Sequence, residues 1–172
     1  MLIKTKRLEL RPMAERDLDS LVELLTDDIV KKTYMVPDFP DREAALATAR
    51  RIRGLSEDPD RFVVGVYLGE QLIGMMNDPE ISGGSIEVGY ALLSRFHGQG
   101  YCTEAMSAAI GHLFTRGFSQ VVAGAFEDNV ASLRVMQKSG MRKIDKIDEI
   151  EYRGKTHRCI YYLAENPETR DT

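Results

Sequence analysis

A glycine-rich turn between a strand and a helix constrains this chain more than any other feature. The apolar run 86–93 is typical of a buried strand, and residues 104–114 carry apolar side chains at helical spacing. Between them lie Gly98 and Gly100. Such a turn directs main-chain N–H groups to the partly positive end of a helix, and glycine lets an anion approach the main chain. The turn therefore predicts a phosphate site.

Two common phosphate-binding patterns are excluded by the residues around this turn. The dinucleotide-binding pattern needs a third glycine, where this chain has Thr103, and an acidic residue near Val122 and Ala123. The P-loop pattern, G-x-x-x-x-G-K-[ST], does not occur in the sequence. A Rossmann-type oxidoreductase and a P-loop nucleotide hydrolase are therefore disfavoured.

The remaining pattern, R-x-x-G-x-G at Arg95, Gly98 and Gly100, resembles the coenzyme A pyrophosphate loop of the GNAT superfamily of N-acetyltransferases. The longer strings EVGYAL at 87–92 and HGQGYCTEA at 97–105 resemble the branch of ribosomal-protein alanine N-acetyltransferases (RimJ/RimL-like). The resemblance covers nearly the whole chain. It implies an acetyl-CoA-dependent N-acetyltransferase. Because His97, His112 and His157 are scattered along the chain, we expect no catalytic histidine and no metal.

Composition sets broad limits on the protein. The length of 172 residues predicts a single domain, which we place at 1–165, followed by a polar tail at 166–172. The net charge of −4 disfavours nucleic-acid binding. No apolar run is long enough for a membrane span. Cys102 and Cys159 show neither metal-ligand spacing nor a disulfide framework. We therefore expect a cytoplasmic protein without a membrane or nucleic-acid partner.

The hydrophobic periodicity predicts an α/β domain with the element order β-α-α-β-β-β-α-β-α-β-β. We expect a mixed, mostly antiparallel central sheet of about seven strands with helices on both faces, the acyl-CoA N-acyltransferase fold. Ile144, Ile147 and Ile150 recur every three residues, which is not strand alternation, so the strand there is assigned mainly from its need to pair with the next strand. The predicted strands are 5–12, 62–68, 71–76, 86–93, 120–126 and the two arms of a hairpin within 141–164, and the predicted helices are 14–27, 42–55, 104–114 and 130–139.

The resemblance also assigns cofactor-binding residues. It places the pyrophosphate on the main-chain amides of the glycine turn and runs the pantetheine along the end of the preceding strand, paired as an added strand would be. The second matching segment is N-x-x-S, which opens a later helix. Arg95 can equally be a solvated arginine, and Asn129 can be a plain helix cap. The residues implied are Ala91, Leu92, Leu93, Arg95, His97, Gly98, Gln99, Gly100, Tyr101, Asn129 and Ser132, with Arg134 and Lys138 as weaker candidates for the 3′-phosphate.

Glu87 is the predicted general base. Alternate strand residues share a face, and the Glu87 face continues through Gly89 and Ala91, whose small side chains leave room for a ligand. The family pattern also has a carboxylate at this point. An ordinary surface glutamate is the alternative. A carboxylate of normal pKa accepts a proton poorly from an ammonium, so a raised pKa or a water relay is needed.

The group that protonates the leaving thiolate is harder to assign. Many superfamily members have a tyrosine seven residues after the helix-opening asparagine, where this chain has Met136. The resemblance implies the hydroxyl of Ser132 instead, with Tyr90 and Tyr101 as weaker donors. Cys102 opens the central helix, so a covalent acyl-cysteine route stays open beside a plain packing role. Main-chain N–H groups near Leu92 and Leu93 are the expected oxyanion donors.

The motifs do not identify the amine acceptor. A protein or peptide N-terminus is favoured by the branch resemblance, and small amines stay open. The resemblance also implies that Tyr34, Met35 and Phe39 touch the acceptor, although they can equally pack their own loop. A non-catalytic acyl-CoA-binding or sensor domain is the alternative function. The strand edges of the final hairpin leave a homodimer open.

Overall fold

The computed structural model describes residues 1–169, so the end of the predicted polar tail, 170–172, lies outside the described residues. Two compact units are present. The first contains Met1–Asn77 and Tyr90–Ala105, and the second contains Asp78–Gly89 and the chain from Met106 onward. Among the described residues, no helix is both long enough and apolar enough to cross a membrane.

The first unit is built on a five-stranded sheet with strand order β1-β2-β3-β4-β7. The pairs β1–β2, β2–β3 and β3–β4 are antiparallel. The core includes Leu21, Ala45 and Tyr67, which are all fully buried. The strands are β1 (Ile3–Lys4), β2 (Leu8–Arg11), β3 (Val64–Leu68), β4 (Gln71–Asn77) and β7 (Gly89–Leu92).

Two helices complete the first unit, α1 (Leu18–Thr26) and α2 (Arg42–Leu55). Helix α1 buries its apolar stripe and contacts both α2 and β4. The Asp41 side chain accepts a hydrogen bond from the Ala44 N–H (2.9 Å) and so caps the start of α2.

The second unit holds another five-stranded sheet, with strand order β5-β6-β8-β10-β9. Strands β6 and β8 pair in parallel, while β8–β10, β10–β9 and β5–β6 are antiparallel. Asn166 is buried after the last strand, and its N–H donates to Ser119 O (2.9 Å). The strands are β5 (Ile81–Ser82), β6 (Ser85–Glu87), β8 (Gln120–Phe126), β9 (Arg142–Tyr152) and β10 (Lys155–Glu165).

Two further helices follow the glycine turn along the chain. Helix α3 (Tyr101–Thr115) begins in the first unit and continues into the second. Helix α4 (Val130–Lys138) packs on β8 and buries Met136 completely.

The α/β class and the mixed, mostly antiparallel pairing are confirmed, but the predicted count of about seven strands is wrong. The described residues form ten strands in two sheets of five. The predicted strand 86–93 divides because its two parts bond different neighbours: the Val88 N–H donates to Val122 O (2.8 Å), whereas the Leu93 N–H donates to Ile73 O (2.8 Å). The other two additional strands, β1 and β5, have two residues each, which is too short to produce a periodic pattern.

Candidate active site

The glycine turn has two residues in a main-chain conformation that few residue types other than glycine adopt. Gly98 and Gly100 have φ angles of +72° and +79°, in the left-handed region that favours glycine. The main-chain N–H groups of residues 98–103 donate to no protein acceptor within the described chain. These six donors lie in the turn and the first turn of α3, as in an anion site at a helix N-terminus.

Helix α1 and the segment after it hold the start of this turn. The Ser94 N–H and hydroxyl donate to one carboxylate oxygen of Asp27, at 3.1 and 2.7 Å. Burial raises the pKa of Asp27, but the hydrogen bonds from Ser94 and from nearby main-chain groups lower it more, to below its usual range. Arg95, predicted to reach a phosphate, instead forms an ion pair with Glu23 on α1, and both side chains are about half exposed.

His97 contributes to the turn through its side chain. Its main-chain N–H donates to Ser94 O (3.1 Å), so that group is already engaged within the protein. The ring Nε2 lies 2.8 Å from Leu92 O. Because a carbonyl only accepts hydrogen bonds, Nε2 carries the proton in this contact. The imidazole thus links the end of β7 to the glycine turn.

The end of the turn is held by three residues that the sequence analysis missed. Thr5 Oγ1 and the Arg7 N–H donate to Glu104 Oε1 at 2.6 and 2.8 Å. Arg7 Nε donates to Glu104 Oε2 (2.7 Å), and Arg7 Nη1 donates to Gln99 O (3.0 Å). Burial raises the pKa of Glu104, but the hydrogen bonds from Thr5 and Arg7 and the charge of Arg7 lower it more, leaving it below its usual range.

Ala91, Leu92 and Leu93, the predicted pantetheine contacts, are buried in the first unit. Strands β4 and β7 approach closely at Gly74, where an added Cβ would lie 2.3 Å from Ala91 O. Leu93 is not a free oxyanion donor, because its N–H is engaged with Ile73 O.

Glu87 lies at the end of β6 and lines a cavity of about 150 Å³ in the second unit. Burial raises the pKa of Glu87, the positive charge of Lys146 lowers it, and the carboxylates of Glu80 and Asp148 raise it, so the pKa lies above its usual range. A raised pKa is what a glutamate general base needs near neutral pH. The residues lining the cavity are Glu80, Ser82, Ser85, Glu87, Val122 and Lys146.

A polar network on β9 and β10 neighbours the Glu87 cavity. The Tyr161 hydroxyl donates to Asp148 Oδ2 (2.8 Å), and the Lys146 ammonium lies 4.1 Å from the centre of the Tyr161 ring. The ring also fills the space beside Gly124, where an added Cβ would lie 2.6 Å from it. The network therefore fixes the ring and supplies charges of both signs beside the cavity.

The segment that opens α4 has a clear local role. Asn129 Oδ1 accepts a hydrogen bond from the Ser132 N–H (3.2 Å). Asn129 therefore caps the helix, which is the role that the sequence left open beside cofactor binding. Arg134 is exposed on the same helix. These geometries leave the cofactor roles of Asn129, Ser132 and Arg134 as predictions.

The Cys102 thiol and the groups that could hold a metal ion bear on two other kinds of chemistry. Burial raises the pKa of the Cys102 thiol to about 12, which disfavours the thiolate needed for an acyl-cysteine route. Within residues 1–169, no group of three or more His, Cys, Asp or Glu side chains is placed to hold a metal ion. A larger cavity of about 250 Å³ is present in the second unit, but it is lined by no residue that the sequence analysis assigned to the site.

Residues 7–142 match the family described as the Acetyltransferase (GNAT) domain. This match covers most of the 172-residue chain. The chain therefore belongs to the GNAT acetyltransferase family. The protein is an acetyl-CoA-dependent acetyltransferase.

Individual relatives agree with this family. The chain is 28% identical over 166 residues to the uncharacterized N-acetyltransferase YnaD of Bacillus subtilis (strain 168), covering 95% of this chain and 96% of YnaD. It is 23% identical over 160 residues to the uncharacterized N-acetyltransferase YoaA of the same strain, covering 90% of each. The fold is similar to that of RimL, a ribosomal L7/L12 alpha-N-protein acetyltransferase solved with coenzyme A, at a TM-score of 0.84 and 20% identity, covering 96% of this chain and 98% of RimL.

Proposed function

We propose that the protein transfers the acetyl group of acetyl-CoA to a primary amine by direct attack in a ternary complex, with Glu87 as general base. The observation that carries this proposal is the Glu87 carboxylate, half-buried in a cavity with its pKa above the usual range. Membership of the GNAT family supports the choice of acetyl donor.

The glycine turn is the proposed binding site for the pyrophosphate of acetyl-CoA. The six unpaired N–H groups of residues 98–103 fit a doubly charged group, since they lie in the turn and the first turn of a fifteen-residue helix. Arg95 has to leave Glu23 before it can bind a phosphate. Ala91, Leu92, Asn129, Ser132 and Arg134 stay proposed cofactor contacts, and this proposal rests on the sequence resemblance.

The proposed role of Glu87 is to take the proton of the acceptor ammonium, directly or through a water molecule. The raised pKa of Glu87 lies closer to the pKa of the ammonium that it must deprotonate, while the positive charge of Lys146 favours the ionised carboxylate. The neutral amine then forms the new C–N bond at the thioester carbonyl, and the coenzyme A thiolate leaves. Ser132 is the proposed proton donor to that thiolate, and it recovers a proton from the nitrogen of the new amide.

A protein or peptide N-terminus is the acceptor that we favour. RimL, whose fold this chain shares, is an alpha-N-protein acetyltransferase. Small primary amines are the other acceptors to be screened. We also propose a cytoplasmic enzyme, and a homodimer through the exposed edge strand β9 of the second sheet.

The proposal is tested by ligand stabilisation and thiol release. Acetyl-CoA at 100 times its dissociation constant adds roughly 2.7 kcal/mol to the free energy of unfolding, whereas NADH and ATP at equal concentration add far less. Thiol release is then measured with N-terminal peptides, polyamines and aminoglycosides. Absence of stabilisation by millimolar acetyl-CoA would contradict the assignment of the glycine turn.

The non-catalytic acyl-CoA sensor that the sequence left as an alternative is disfavoured, because the chain belongs to the GNAT acetyltransferase family. The glycine turn alone is compatible with a sensor, but a sensor needs no general base such as Glu87.

A further inference from the structure

The contacts around the end of the glycine turn assign a role to Arg7 and Glu104, which the sequence analysis named as neither catalytic nor cofactor-binding. We infer that Arg7 and Glu104 form a clamp that holds the glycine turn ready for the pyrophosphate of acetyl-CoA. This inference rests on the proposed function of that turn. Arg7 and Glu104 are positioning residues in this account, since they act through the main chain of the turn.

The first step of the argument is the hydrogen bonding of Gln99. Arg7 Nη1 donates to Gln99 O at 3.0 Å, so the carbonyl between the two glycines is bound by a cation. A carbonyl directed toward an incoming phosphate would repel it, because both carry negative charge. Holding the Gln99 carbonyl in this bond leaves the neighbouring N–H groups as the groups that face an anion.

The second step is the anchoring of Arg7 itself. Glu104 accepts hydrogen bonds from the Arg7 main-chain N–H (2.8 Å) and Arg7 Nε (2.7 Å), and the guanidinium carbon lies 4.5 Å from the centre of the Tyr101 ring. Thr5 Oγ1 adds a bond to the same carboxylate (2.6 Å). The first turn of α3 and the glycine turn are thus tied to one short segment before β2.

The third step distinguishes geometry from charge. Glu104 neutralises Arg7 within 2.7 Å, so the pair offers an incoming phosphate little net charge. The clamp instead needs the planar fork of arginine, which uses Nε for Glu104 and Nη1 for Gln99 at once. Lysine carries the same charge, but its donors all lie on one nitrogen, so it cannot place them at the separate positions of Nε and Nη1.

The experiment measures coenzyme A binding by calorimetry, and steady-state rates, for Arg7→Lys, Arg7→Met and Glu104→Gln. We expect each variant to raise the Kd for coenzyme A and the KM for acetyl-CoA by about tenfold, leaving kcat and the acceptor KM unchanged. The control is Arg16→Lys, which alters another surface ion pair in the same unit, between Arg16 Nη2 and Glu70 Oε2 at 2.9 Å. The control binds coenzyme A like the wild type.

A ligand-free readout keeps the clamp separate from the proposed function. The Glu104 N–H donates to Gly100 O (3.1 Å), and its hydrogen exchange, followed by NMR, reports the order of this turn. We expect Arg7→Lys to accelerate this exchange at least fivefold, with the thermal midpoint within a few degrees of the wild type. Unchanged exchange overturns the clamp even if the wild type binds no coenzyme A. Wild-type behaviour of Arg7→Lys beside weak binding by Arg7→Met also overturns it, because charge alone would then suffice.

Discussion

Replacement of Gly98 by alanine isolates the backbone requirement of the glycine turn. Gly98 has φ +72°, and an added Cβ would meet nothing within 4 Å, so steric contact adds no cost. The remaining cost is that of placing a side chain in the left-handed region, roughly 1–2 kcal/mol. In an equilibrium constant this is a factor of about 5 to 30.

This cost appears in one of two measurable quantities. If the turn keeps its conformation without ligand, Gly98→Ala lowers the free energy of unfolding and leaves the Kd for coenzyme A unchanged. If the turn relaxes without ligand, the free energy of unfolding is kept and the Kd rises instead. The sum of the two changes is about 1–2 kcal/mol in either case.

The assay combines denaturant unfolding with calorimetric titration of coenzyme A. Gly111→Ala is the matched control, since Gly111 lies inside α3 with open space around it and no positive φ. We expect the control to raise the free energy of unfolding by about 0.5–1 kcal/mol at unchanged Kd. We expect Gly98→Asn to recover part of the loss, because asparagine tolerates the left-handed region. A combined change near zero for Gly98→Ala would refute the assigned turn conformation.

Three further predictions follow from the pKa values and hydrogen bonds. Lys146→Met removes the charge that lowers the pKa of Glu87, so the acid limb of the pH profile of kcat/KM moves to higher pH. An acid limb that stays in place would show that Glu87 is not the group that titrates in this profile. Asp27→Ala removes the acceptor of both Ser94 hydrogen bonds and lowers the free energy of unfolding by about 1–2 kcal/mol. The pKa of Asp27 is lower in the folded state than its ordinary value of 3.8, so the difference in free energy of unfolding between wild type and variant is fully present above pH 3.8 and shrinks as the pH falls below it. Urea unfolding at several pH values measures this difference. The Cys102 thiol, with a pKa of about 12, reacts slowly with iodoacetamide at neutral pH and gains no acetyl group from acetyl-CoA, as mass spectrometry of the intact protein checks.

Local patterns predicted the helices, the longer strands and the glycine turn because each depends on neighbouring residues. The turn needs two glycines and a following helix, and both are visible within a few positions. The role of Glu87 stays a prediction, and the alternation that suggested it does not hold. Strand β6 ends at Glu87, and neither Gly89 nor Ala91 lines the cavity beside it.

Long-range pairing explains what the sequence could not predict. The apolar run 86–93 reads as one strand, and its division depends on the distant partners Ile73 and Val122. The Arg7–Glu104 contacts join residues 97 positions apart, so no local pattern signals them. The Glu23 carboxylate that engages Arg95 is likewise distant in sequence.

The three isoleucines that recur every three residues, at positions 144, 147 and 150, show another limit of prediction from hydrophobic periodicity. Ile144 and Ile150 lie an even number of residues apart and both pack against the small core of Phe126, Cys159 and Tyr161. Ile147 is 47% exposed, so it does not belong to the buried face of this strand. The strand prediction was therefore correct although hydrophobicity alone suggested another period.

The most direct test of the account is acetyl transfer by wild type and Glu87→Gln, followed by mass spectrometry of the acceptor, with the Kd for acetyl-CoA measured on the same samples. The account predicts acetylated amine from the wild type, a loss of about 100-fold or more in kcat for the variant, and an unchanged Kd. Turnover by Glu87→Gln at the wild-type rate would contradict the assignment of Glu87 as general base.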